Sequence, residues 1–185
     1  IRDSYVVFTY VDQGTVTSDA GSSVGVNVGL LAGTVLGSSI RGSYTRGTVN
    51  GRATYVGGLV GMVGITSAGS SDVIDCYTRV TVDASGSHQS IAGGIAGSLS
   101  SSRATNVWSR GLVRGRGSVG GLVGVANGSF QLDFSYSRNE VFDLDRSAAT
   151  GGRHGSRTRA EAISIPSSTR SCRTSRLRAS IAKAR

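Results

Sequence analysis

Short aliphatic segments bracketed by glycine recur four times along the chain: GLLAG at 29–33, GGLVG at 57–61, GGIAG at 93–97 and GGLVG at 120–124. A second segment follows each of them: SYTRGTV at 43–49, CYTRVTV at 76–82, VWSRGLV at 107–113 and SYSRNEV at 135–141. In this second segment the aromatic positions are Tyr44, Tyr77, Trp108 and Tyr136. Arg46, Arg79, Arg110 and Arg138 come two residues later, and Val49, Val82, Val113 and Val141 close each copy. An earlier partial copy runs from Tyr10 to Val16 with one extra residue. Two linked motifs repeating in order mark a repeat architecture, which has to be recognised before any other reading of the pattern.

Both motifs are short, rich in Val, Thr and aromatics, and bounded by Gly and Ser, which is strand chemistry. Residues 1–152 contain no sustained apolar period of 3.6 residues. The first motif is apolar at alternate and at intervening positions, as in Val56, Gly58 and Val60 against Leu59. Such a strand is covered on both faces, and its glycines let neighbouring backbones approach closely. The second motif alternates: Val49 shares one face with Thr45 and Gly47, while Arg46 shares the other with Tyr44 and Thr48. It therefore predicts a half-buried strand, Val inward and the Arg row outward. One such unit cannot bury its own apolar face, but stacked copies can. The expectation is an all-β fold, a parallel β-helix-like solenoid of about four to five rungs over residues 1–152. Rungs would lie about 4.8 Å apart. Leu31, Leu59, Ile95 and Leu122 would form an inner column and the four aromatics another. The stretches 65–75 and 83–90 are expected to project from the stack.

Composition sharpens this picture. Glycine supplies 28 of 185 residues while proline occurs once, at Pro166. That combination excludes collagen and proline-rich linkers and suits strands joined by tight turns. The net charge of +9 is unevenly placed. Residues 153–185 hold nine basic side chains and one acid, Glu161, so the remainder is close to neutral. A specific nucleic-acid function is therefore not expected of the repeat body. The repeat fades inside a motif: Gly151-Gly152 is followed by Arg153-His154-Gly155 where Leu and Val are expected. Residues 153–185 read as an Arg/Ser-rich low-complexity tail, expected to be disordered. It is a polyanion-binding tail, a linker, or the product of a reading frame lost after Gly152, the last being slightly favoured. Because the chain opens at Ile1 rather than Met, it reads as a fragment of a longer parent. No apolar run approaches the roughly 20 residues that cross a bilayer.

Candidate chemistry is sparse. Cys76 and Cys172 lack metal-ligand spacing, and free thiols are the expectation. The stretch 115–120 matches G-x-G-x-x-G but precedes a β motif, not the helix that a dinucleotide site needs. The stretch 21–25 matches G-x-S-x-G. Only His88 and His154 could serve it, one in a Gly/Ser-rich loop and one in the tail. Asp72, Asp75 and Asp83 lack the loop pattern of a calcium site and read as solvated carboxylates. Asn127-Gly128-Ser129 is a glycosylation sequon, relevant only in a secretory-pathway host. No cofactor or metal is implied, and a non-catalytic protein is expected. The Arg46, Arg79, Arg110 and Arg138 column is the candidate ligand-facing stripe. If in register it could hold a sulfated glycan or another polyanion. Otherwise the arginines cover apolar surface and block edge pairing.

The GGLVG core followed by Ser-Tyr-Ser/Thr-x-Gly-x-Val resembles the GLUG repeat, named for Gly-Leu-hydrophobic-Gly, over roughly residues 24–152. The first copy departs from it, with Leu30 in place of the second glycine. Similar segments occur in large bacterial surface and adhesin-like proteins and in non-catalytic parts of certain IgA-cleaving proteases. The resemblance implies a β-solenoid on an exported protein, secreted or at the cell surface, and it carries no catalytic residue over. The expected role is a structural or adhesive segment with a host or surface glycan or a protein ligand as partner. The alternative is a spacer in a large secreted protease.

Overall fold

The computed structural model describes residues 5–7, 10–18, 26–65, 67, 69–86, 90–144 and 156–159. Among them every regular element is a strand. A partial coil opens the stack with β1 (Tyr5–Val7) and β2 (Tyr10–Ser18). Four complete coils follow, each with four strands. They are β3 (Asn27–Gly29), β4 (Ala32–Val35), β5 (Ser39–Arg41) and β6 (Tyr44–Gly51), then β7 (Tyr55–Gly57), β8 (Val60–Val63), β9 (Asp72–Ile74) and β10 (Tyr77–Ala84). The third coil comprises β11 (Ile91–Gly93), β12 (Ala96–Ser100), β13 (Arg103–Thr105) and β14 (Trp108–Gly115). The fourth comprises β15 (Val119–Gly120), β16 (Val123–Asn127), β17 (Gln131–Asp133) and β18 (Tyr136–Asp143). Each strand pairs in parallel with its counterpart one coil away, giving four stacked sheets. The chain is thus an all-β parallel solenoid of about four turns. Beyond residue 152 the described residues form β19 (Ser156–Arg159), antiparallel to the last four residues of β18. The rest of the basic tail, with Cys172 and His154, lies outside the described residues.

The predicted columns are hydrogen-bonded coil to coil. Leu31 N donates to Leu59 O at 2.9 Å, Leu59 N to Ile95 O at 2.9 Å and Ile95 N to Leu122 O at 2.8 Å. The glycine motif is not one straight strand. It is the bend of an arch, with the second glycine and the following aliphatic at its tip, as in Gly58-Leu59 between β7 and β8. The two arms lie back to back on their glycine faces. A methyl group on Gly61 would stand 2.5 Å from Val28 N and 2.7 Å from Gly33 O. The aliphatic faces then look into two separate cores. Val60, Val63, Leu59, Ile95 and Leu99 pack with Ile40, Val73 and Ala104 of the third side. Val28, Val56 and Ala92 pack with Val49, Val82 and Val113 of the fourth side. The glycines are required because two backbones meet where side chains would otherwise stand.

The third side, β1-β5-β9-β13-β17, was not anticipated by either motif. The stretch 65–75 was expected to project, but its end is strand β9, with Ser71 and Val73 buried. Likewise β10 runs through Ala84 and Ser90 is buried, so neither stretch projects along its whole length. The corner into the fourth side needs left-handed backbone at Gly42, Asp75, Asn106 and Phe134, with φ of 57°, 54°, 52° and 48°. Gly, Asp and Asn tolerate that conformation best.

Candidate functional site

The fourth side carries the second motif. β2, β6, β10, β14 and β18 pair in one register, placing Arg46 against Arg79, Arg79 against Arg110 and Arg110 against Arg138. Residues alternate as the motif predicts. Thr45, Thr78, Ser109 and Ser137 point inward and are buried, as are Val49, Val82, Val113 and Val141. The buried hydroxyls tie this sheet to the arch tips: Thr45 donates to Gly58 O at 2.9 Å and Thr78 to Gly94 O at 2.8 Å. In the fourth coil Asn139 takes over this duty, its amide donating to Ser109 Oγ at 2.7 Å and to Gly121 O at 2.5 Å.

Four columns face outward, the last of them Asn50, Asp83, Arg114 and Phe142. The aromatic rings stack face to face: Tyr44 on Tyr77 at 4.7 Å between centroids, Tyr77 on Trp108 at 4.5 Å and Trp108 on Tyr136 at 6.0 Å. Interplanar angles are 3° to 5°, so each inner ring spends both faces on its neighbours. All four arginines of the candidate stripe are exposed. The third column reads Thr48, Thr81, Leu112 and Glu140. At the start of the stripe the extra residue of β2 forms a bulge, and Asp12 pairs with Arg46 at 3.6 Å. Arg79, Arg110 and Arg138 have no carboxylate partner among the described residues. A shallow depression of about 320 Å³ lies on this face, lined by Gln13, Arg46, Thr48, Arg79 and Thr81 over Gly47, Val80 and Gly111.

The other charged side chains on the body are committed elsewhere. Asp72 sits between Arg41 at 3.8 Å and Arg103 at 3.3 Å. Asp75 accepts from Asn106 at 2.6 Å. Partial burial would raise the Asp83 carboxyl, but hydrogen bonds from Arg114 and Ser85 outweigh it and hold the group below its ordinary value. These three aspartates therefore stand apart, each with its own partner. Among the described residues no three His, Cys, Asp or Glu side chains converge as a metal site. The stretch 115–120 runs from the end of β14 into β15, without a helix. The stretch 21–25 and His88 lie outside the described residues. Cys76 is a free, buried thiol, pushed up to about 11 by burial. No helix among the described residues is long and apolar enough to cross a membrane.

Comparison with known proteins found no match to any family model, curated protein or solved structure.

Proposed function

We propose that this chain is a non-catalytic repeat segment of an exported protein, at the cell surface or released. It presents a repeated cationic face to a glycan or other extracellular ligand. The observation that carries this reading is the exposed arginine returning at the same place in four successive coils, in register. A stacked scaffold gives each outward position a fixed pitch, which suits a ligand that is itself extended and repetitive. The likeness of the glycine motif to the GLUG repeat supports the same placement outside the cell. The test is a glycan array probed with the full chain, beside a synthetic peptide of residues 153–185 as a control for the basic tail. Binding of the chain to a defined glycan subset that the peptide ignores is the expected result. A binding profile identical to the peptide's would remove the adhesive reading.

A further inference from the structure

We propose that the depression between Arg46 and Arg79, continued by Arg110, is a binding site for a linear sulfated polysaccharide lying along the stack. One anionic ester is engaged per coil. This deepens the adhesive reading above and rests on it.

Arg79 and Arg110 sit on β10 and β14, each paired on both sides. Protection of an open sheet edge therefore does not account for them. Like charges one coil apart repel, by up to about 1 kcal/mol per pair in water, so the column is retained against its own electrostatics. Elsewhere on the body the arginines have partners within the chain: Asp72 for Arg41 and Arg103, Asp83 for Arg114, and the carbonyls of Gly86 and Ser85 for Arg52 and Arg116. Asp12 partly answers Arg46 across 3.6 Å, both groups about half exposed. A pair of that kind is worth about 0–1 kcal/mol, which leaves Arg46 free to exchange its partner. The arginines of the stripe with no carboxylate among the described residues are thus those of the second, third and fourth coils.

The depression adds shape. Its floor is the backbone of Val80, whose side chain is buried, flanked in register by Gly47 and Gly111, neither of which can carry a side chain. Their φ values are 150° and 140°, and an added methyl would come within 1.9 Å of Gly14 O and of Val80 O. Arg46, Arg79, Thr48 and Thr81 line the depression together. Forked guanidinium donors with hydroxyl donors beside them match the oxygens of a sulfate ester. A single-stranded nucleic acid would offer phosphates at similar charge density, but its binding draws on ring faces for base stacking. The inner ring faces here are already stacked on one another. The chemistry that remains is charge and hydrogen bonding along a line.

Trp108 makes the test local. It is the chain's one tryptophan, and it stands two residues from Arg110 on the same outward face of β14. Heparin, the sulfated probe, would be titrated into the full chain at about 0.15 M ionic strength while Trp108 emission is followed. The expected result is a saturable change in emission, absent with desulfated heparin. Affinity should be about tenfold weaker in Arg79→Thr/Arg110→Thr. Arg176→Ser/Arg178→Ser, which removes equal charge from the tail, should keep the native response. Circular dichroism and melting confirm that each variant is folded. An unchanged Trp108 titration in the Arg79/Arg110 variant would overturn the site, as would no Trp108 response at all. Equal affinity for oligothymidylate would overturn the ligand class. Array binding that survives the double substitution would leave the adhesive reading standing without this site.

Discussion

In the arch formed by β11 and β12, a methyl group on Gly93 would stand 2.0 Å from Ala96 O and 2.8 Å from both Gly124 N and Leu122 O. On the outer face of β10 and β14, Arg79 and Arg110 extend into solvent with no ionic partner among the described residues. Both features recur coil after coil, and the recurrence has different physical grounds. At the arch the backbones of one coil and the next leave no volume for a side chain. At the outer face, volume is unlimited and many residues would fit. Repetition within a chain therefore does not by itself separate structural necessity from displayed chemistry. The packing around each position does.

The comparison breaks most visibly at the arch. Gly93→Ala should cost at least about 3 kcal/mol, because the clash is with backbone on two sides and cannot be relieved by a rotamer. Urea denaturation followed by circular dichroism reads this directly. A cost below about 1 kcal/mol would mean that the arch yields easily, and the steric account of the glycine motif would fail.

Much of this fold was legible in the primary sequence, and the reason is the stacking itself. A position that meets its own copy above and below is constrained by identity, so Leu31, Leu59, Ile95 and Leu122 read as one column before any coordinates. The alternation Thr45, Arg46, Gly47, Thr48, Val49 likewise announced its inner and outer faces. The third side of the coil was missed because it is only three residues long and its inward residue varies: Ile40, Val73, Ala104, Leu132. The available signal was the turn-forming residue after it in three coils, Gly42, Asp75 and Asn106, which share no chemistry except tolerance of positive φ, and the fourth coil carries Phe134 there instead. The double core was missed for a different reason. Alternation shows that both faces of a strand are covered, but not that the cover on one face is the strand's own continuation. Of the candidate site, the arginine register was foreseen. The depression over Gly47, Val80 and Gly111 is formed across neighbouring strands and had no pattern along the chain to betray it.

A buried corner offers an intermediate effect on the interior side of the comparison. Burial raises the Cys76 thiol from its ordinary 9.0 to about 11. The folded chain therefore keeps this proton where the unfolded chain loses it. The associated stability is full below pH about 9 and is lost as pH rises toward about 11, amounting to roughly 2–3 kcal/mol. Val107 fills the same corner one coil on and is fully buried. Cys76→Val should fold and lack this alkaline loss, while tyrosine ionisation remains common to both proteins. Urea midpoints of the two proteins at pH 8 and pH 11 give the difference. Parallel loss in both would show that the corner does not shield the thiol.

The smallest expected effect is the most informative about the outer face. Arg79→Thr/Arg110→Thr leaves both strands with a residue suited to sheets and extends the outward threonines already present at Thr48 and Thr81. No carboxylate among the described residues is orphaned by the change, since Asp12 keeps Arg46 and Asp83 keeps Arg114. Stability should stay within about 0.5 kcal/mol of native, with any shift toward higher stability at low salt, where like-charge repulsion in the column is least screened. Melting at low and moderate ionic strength measures both the size and the salt dependence. A loss of more than about 1 kcal/mol would show that the arginine stems support the fold by covering neighbouring side chains. The stripe would then be structural in the same sense as the glycines. A neutral or salt-sensitive gain would leave the arginines without a task inside the molecule, and the search for their partner belongs outside it.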